Sequence, residues 1–325
     1  GTKGTIRLLG TPAEEGGSGK VYMVREGLFK DVDFVLHWHP SDRNSASART
    51  TLANRSAKFR FYGVSAHAAA APENARSALD GVESMDAMVN MMREHVPQET
   101  RIHYVITEGG STPNVVPDFA EVFYYLRHPK SEVVQELWKR LENAARGAAL
   151  GTGTEVKWEI IHGNHPVLIN ETLALAADAK LREIGGIDYT AEENDFAVTL
   201  YKSLNNPTLK LSSQKTIEPF TTTQGYGSTD VGDVSMNVPT VGLSIAGWVP
   251  GTSAHSWQAV AASGTSIGFK GAYMAAKGLA MMAQELYENE DLRNKAIAEF
   301  NERRGADFKY EALLGDRKPP LDYRK

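Results

Sequence analysis

The feature that most constrains this chain is a block of changing periodicity between about Ser56 and Gly163. "KFRFYGV" alternates apolar and polar residues, as a half-exposed strand does. "ENARSALDGVESMDAMVNMMREHV" puts Leu79, Val82, Met85, Val89 and Met92 on one helical stripe. "RIHYVITEG" and "AEVFYYLRH" read as strands, "SEVVQELWKRLENAARGAA" as a second amphipathic helix, and "EVKWEIIHG" as a last strand. The order is βαββαβ, the split unit of ferredoxin-like domains, and it has the size of one inserted domain. The methionines Met85, Met88 and Met92 fit its core better than a binding surface.

The flanks have a different texture. "TIRLL" (Thr5–Leu9) predicts a strand, "KVYMVREG" a short helix stopped by Gly27, and "DFVLHW" (Asp33–Trp38) a strand closed by Pro40. Strand, helix and strand on short links imply a parallel α/β unit, which binds ligands at its strands' C-terminal ends. After "NHPVLIN" a helix begins with Asn170 as N-cap. The α/β pattern then returns as far as about Leu286, including the small-residue helix "GFKGAYMAAKGLAMMAQEL". One more helix follows, and "RKPPLDYRK" reads as an extended surface segment. The expected organisation is a first α/β part over 1–54, an inserted α+β domain over 55–164, and a second α/β part with a tail over 165–325.

Composition narrows the function. The 325 residues are 42% hydrophobic and 23% charged, with net charge −5 and no run of like charges. A basic footprint for nucleic acid or an anionic membrane is lacking, and no run approaches the roughly 18 apolar residues of a membrane span. Cysteine is absent, which removes thiolate nucleophiles and cysteine-based zinc sites within this chain. The absence fits a reducing compartment, so a cytoplasmic location is expected. Any metal must be held by His, Asp or Glu, a donor set that suits zinc or manganese.

"GTPAEEGGSGKVY" (Gly10–Tyr22) can be read as a phosphate loop or as a loop carrying two carboxylates. The phosphate loop fails: its first glycine would fall at Glu14 and its hydroxyl at Val21. Adjacent carboxylates repel one another, and a cation beside them removes that cost. In a metal hydrolase one such carboxylate binds the ion and its neighbour takes the proton of the attacking water. On the residues alone, two solvated loop acids remain an equal reading. His37 and His39 in "LHWHP" share one face of a strand, and spacing does not choose between them. "GTSAHSW" holds His255, and "GYGSTDVGDVS" holds Asp230, each in a loop that could be an ordinary turn.

Taken together and in order, "GTPAEEGG", "GVSAHAAAAPENARSALDGV", "GGSTPNVVPDFAEVFYYLRHP", "GSTDVGDVS" and "GTSAHSW" resemble the M20 family of metallopeptidases and amidohydrolases, within its aminobenzoyl-glutamate utilization group. The resemblance covers nearly the whole chain. It implies an α/β metallopeptidase-type catalytic domain with an inserted lid and dimerisation domain. The implied activity is metal-dependent hydrolysis of an amide bond to an amino acid such as glutamate, using two zinc or manganese ions. Glu14 corresponds to the general base and Glu15 to a metal ligand. An ungapped register puts the next ligand at His39, with His37 its neighbour, and the C-terminal ligand at His255. His67 resembles the histidine that reaches across a dimer interface to the substrate carbonyl. Asn114 and Arg127 resemble lid residues that bind the substrate's amide and carboxylate, and a guanidinium fork suits a carboxylate. On the residues alone, Arg127 could also be a surface strand residue paired with Glu121. The other histidines, His95, His103, His128, His162 and His165, match no motif and read as structural or exposed.

The family's upstream His/Cys-rich metal motif has no counterpart here, so the chain is expected to begin inside its first domain. Three candidate ligands are few for two ions, and metal is expected to bind weakly. The competing expectation is a non-catalytic binding or dimerisation module. A homodimer through the lid and a related second subunit are the partners that the resemblance implies.

Overall fold

The computed structural model describes residues 4–321. A kinked single turn, α1 (Glu14–Gly17), leads into α2 (Gly19–Arg25) and then β1 (Val35–Ser41). The expected strand at Thr5–Leu9 does not form. That stretch has no regular structure, with Ile6 77% and Leu8 96% exposed. A short β-prone run needs a neighbouring strand for its backbone groups, and none lies beside this one among the described residues. The parallel unit is therefore built differently from expectation. β1 pairs in parallel with β8 (Thr240–Ala246), from Val35 opposite Thr240 to Ser41 opposite Ala246. Pro40 does not end β1 but lies inside it, opposite Ile245. β1 has a partner on one side only among the described strands, the setting in which a strand tolerates proline.

β2 (Ala48–Thr50) leads into β3 (Ala53–Tyr62), α3 (Ala78–Met92), β4 (Arg101–Glu108), β5 (Phe119–His128), α4 (Ser131–Thr152) and β6 (Glu155–Asn164). The last four strands form one antiparallel sheet in the order β4-β5-β3-β6. Alternation decides its faces. Phe59, Phe61, Val122, Tyr124 and Leu126 point to the helices and are fully buried. α3 presents Val82, Met85 and Val89 to that core, each fully buried and each worth roughly 1.5–3 kcal/mol. Tyr124 donates a hydrogen bond to Asp86 of α3, fixing the helix on the sheet. α4 adds Trp138 and Leu141 to the same core.

α5 (Glu171–Ile184) starts where expected, with Asn170 accepting from Leu173 N at 3.0 Å. α6 (Ala191–Tyr201), β7 (Thr222–Gln224) and α7 (Val231–Ser235) precede β8, and α8 (Trp257–Ser263), α9 (Ser266–Glu288) and α10 (Glu290–Arg304) follow it. β7 pairs in parallel with β2. A second core gathers Leu173 and Leu181 of α5, Leu243 and Ile245 of β8, and Met274 and Met282 of α9.

The described part of the expected surface segment, residues 317–321, forms no helix or strand and is mostly exposed, while the tail before it packs down. Tyr310 donates to buried Asp233 at 2.8 Å, Leu314 packs with Val21 and Tyr22 of α2, and Arg317 pairs with Glu159 of β6 at 2.7 Å. Residues 322–325 of the expected extended segment lie outside the described residues. Also among the described residues, no helix is long and apolar enough to cross a membrane.

Candidate active site

The carboxylate loop is built from unusual backbone. Ala13 (φ 63°), Gly16 (φ 107°) and Ser18 (φ 52°) are all left-handed within one short stretch. Non-glycine residues hold such angles only where their surroundings impose them. Gly19 is required for another reason: a Cβ there would lie 1.9 Å from the carbonyl oxygen of Pro12. The turn leaves Glu14 half-buried and Glu15 exposed at the start of α2.

Below the loop lies a buried ion pair. Lys20 Nζ is 2.9 Å from Asp230 Oδ1, and Lys20 N donates to Asp230 Oδ2 at 2.9 Å. Asp230 is fully buried, and its carboxyl is held above the usual range by burial, which outweighs Lys20; the nearby Glu14 charge pushes the same way. Glu14, Lys20 and Asp230 thus share one electrostatic neighbourhood, and the "GSTDVGDVS" loop meets the "AEE" loop.

Glu15 also meets His255, whose Nε2 lies 3.7 Å from Glu15 Oε1. His255 is itself left-handed (φ 57°). Two of the three candidate ligands, far apart in sequence, therefore come together. The third, His39, is exposed on β1, its Nδ1 2.6 Å from Pro40 O and its ring edge-on to Trp248. His37 lies on the same strand face, inward, with its ring against Gly242, where a Cβ would come within 2.4 Å. Burial, then the charges of Lys20 and His39, lower the His37 pKa to about 4, so its imidazole is neutral near pH 7. No group of three or more His, Asp or Glu among the described residues is arranged to hold an ion. The donor chemistry of Glu15, His39 and His255 would fit a divalent ion, but the contact that brings such donors together here is that of Glu15 with His255.

The segments of His67 and Asn114 lie together, between β3 and β5 in sequence. The His67 segment bridges to Val115, and Ala68 N donates to Asn114 O at 3.0 Å. His67 Nδ1 accepts from Ala69 N and Ala70 N, both at 3.2 Å, which leaves the proton of the neutral ring on Nε2. The side chain is exposed, so that donor is presented outward.

Arg127 sits on the sheet face opposite the helices. Registers place Asn164, Asn54, Arg127 and Arg101 in one cross-strand row, and His162, Ser56, Tyr125 and His103 in the next. Directly opposed residues share a face. Arg127 does not pair with Glu121, which is taken by Lys58 at 2.9 Å and Arg60 at 2.6 Å. It stacks over Tyr125 at 5.3 Å. Its buried Nε has no partner among the described residues, nor has the buried Oδ1 of Asn54 beside it.

This face touches the carboxylate loop, a meeting that no local sequence pattern foretells. Ser18 Oγ donates to Asn164 Oδ1 at 2.9 Å and lies 3.5 Å from His162 Nδ1. His162, read from sequence as merely structural or exposed, is buried and its pKa falls to about 4, by burial first and then by Arg317 and Arg127. The only local hint was a serine at the N-cap position of α2; its partner on β6 is invisible to local pattern.

Residues 52–152 match the peptidase dimerisation domain of the M20 type. A p-aminobenzoyl-glutamate hydrolase subunit of Escherichia coli (strain K12) is 38% identical over 318 residues, covering 90% of this chain and 66% of its own length. The chain belongs to the M20 family. An Xaa-Arg dipeptidase of Mus musculus is 33% identical over 284 residues, covering 86% of this chain and 59% of that protein. The chain thus spans less than two thirds of the length of these relatives. In fold it is similar to the crystal structure of an aminobenzoyl-glutamate utilization protein from Klebsiella pneumoniae, with a TM-score of 0.54 and 17% identity, covering 86% of this chain and 61% of that one.

Proposed function

We propose that this M20 chain serves metal-dependent hydrolysis of an amide bond to an amino acid such as glutamate. The observation that carries the reading is the meeting of Glu15 with His255 beside Glu14, over the buried Lys20–Asp230 pair. Glu15, His39 and His255 are the proposed ligands of a divalent zinc or manganese centre, two ions in the complete site. The relatives' names support the substrate class: one is a p-aminobenzoyl-glutamate hydrolase subunit, the other a dipeptidase.

In this reading Glu14 takes the proton of the attacking water and returns it to the leaving nitrogen. His67 offers its Nε2–H to the oxyanion of a neighbouring subunit's substrate. Asn114 and Arg127 orient the substrate's amide and carboxylate, the guanidinium by a two-pronged contact. The inserted unit, with its βαββαβ order and β4-β5-β3-β6 sheet, we read as a ferredoxin-like lid and dimerisation domain over 55–164, set between catalytic parts 1–54 and 165–325. Exposed Val105 and Ile106 on the edge strand β4 support a homodimer through that edge. The Escherichia coli relative is named as a subunit, which supports a related second subunit as a further partner.

Elemental analysis of the purified protein, with turnover of N-acyl glutamates, tests the assignment. Metal near one or two equivalents and a Glu14→Gln variant that keeps metal but loses kcat by about 100-fold or more support it. Metal-free protein without turnover would make this chain a binding or dimerisation module. Mixing His67→Ala with Glu15→Ala should restore part of the activity by cross-subunit complementation, and no recovery removes His67 from that role.

A further inference from the structure

The backbone leading into α2 breaks a local rule. Ser18 occupies the N-cap position, where a serine hydroxyl ordinarily accepts from an amide of the first turn. It makes no such cap. The amide of Lys20, a donor such a cap would use, is taken instead by Asp230 Oδ2 at 2.9 Å. The Ser18 hydroxyl is thereby released, and it turns to the inserted sheet, donating to Asn164 Oδ1 at 2.9 Å with His162 Nδ1 3.5 Å away. All three side chains are buried: Ser18 is 1%, Asn164 6% and His162 7% exposed. The His162 ring also lies against Gly16, where a Cβ would be 3.6 Å from its Cε1. A left-handed serine in the middle of such contacts is held from outside its own helix.

We propose that Ser18, Asn164 and His162 form a positioning latch by which the last strand of the inserted sheet fixes the Glu14–Glu15 loop. The three residues touch neither substrate nor ion; they act through the backbone of Gly16 and Ser18. Asp230 caps α2 and frees the serine, and β6 receives it. The direction of the two carboxylates is then set jointly by α2 and by the seat of the inserted sheet. The functional meaning of the latch rests on the reading of Glu14 and Glu15 as base and ligand, but its existence does not.

Hydrogen–deuterium exchange on the metal-free full chain tests the latch by itself. In Ser18→Ala and in Asn164→Leu, amides of residues 13–19 should exchange about fivefold faster, the scale of one hydrogen bond lost. Asn164→Asp keeps the accepting oxygen and should return the loop to within about twofold of the parent, a rescue that simple packing would not produce. Amides of Phe59 and Phe61 in β3 serve as the internal reference. Unchanged loop exchange in both variants, an equal rise at the β3 reference, or failure of Asn164→Asp to rescue overturns the latch. Cobalt(II) absorption in the same proteins separates the two readings. Binding that weakens in step with loop exchange ties the latch to the metal site. A parent that binds no cobalt counts against the hydrolase reading alone, because the exchange experiment has already decided the latch.

Discussion

Replacing His162 with Phe removes a buried imidazole whose titration should be visible in the protein's stability. His162 faces Arg127 and Arg317, packs on Tyr125 at 5.7 Å between centroids, and has the Ser18 hydroxyl beside it. Its pKa falls from 6.5 to about 4, burial being the largest cause. The unfolded chain therefore binds a proton between those values while the folded chain does not, so this residue's contribution is full near pH 7 and is lost as the pH falls from 6.5 towards 4. At about 1.4 kcal/mol per pH unit, the loss is up to roughly 3 kcal/mol. His162→Phe keeps the ring contact with Tyr125 and cannot titrate. Near pH 7 it should be the less stable protein by roughly 1 kcal/mol, from the lost polar contacts. By pH 4 the order should reverse. Urea unfolding at several pH values gives both curves. Asp86 and Asp233, whose pKa values are raised to about 6, slope the other way, but they titrate in both proteins and cancel in the difference. Parallel stability curves for parent and variant refute the reasoning.

Lys20→Met should cost about 3–5 kcal/mol, because it leaves the fully buried Asp230 carboxylate without its cation. Thermal unfolding reads the loss, and a near-zero change shows that Asp230 is protonated. His39→Ala should weaken cobalt binding by more than the roughly 10–100-fold expected of a residue that only orients a ligand, and His37→Ala by less. The opposite ranking in a cobalt titration moves the ligand to the inward, neutral His37.

The βαββαβ order from β3 to β6 was legible because its signals are local. The stripe through Val82, Met85 and Val89 and the alternation through Phe59 and Phe61 each announce a buried face within one element. The Asn170 cap is legible for the same reason. Thr5–Leu9 misled because a β-prone run says nothing about whether a partner strand exists. Of the site, the motif order pointed to Glu15 and His255 only through family resemblance; no spacing rule joins them. Ser18, Asn164 and His162 were missed because their meeting is a tertiary contact between a loop and the far end of a sheet. The left-handed turn at His255 was equally hidden, since no glycine marks it.

Residues 310–317, beyond the end of α10, run back over α7, α2 and β6. Tyr310 anchors them on Asp233, the Glu311 carbonyl lies 2.9 Å from His165 Nε2 at the junction after β6, and Arg317 fastens to Glu159 within β6. These contacts tie α7, the stretch just after β6 and β6 itself to one tail, so the β3–β6 sheet is held to α7 by residues far from both in sequence. Cutting the chain before Tyr310 would remove that brace without altering a residue of either element it joins.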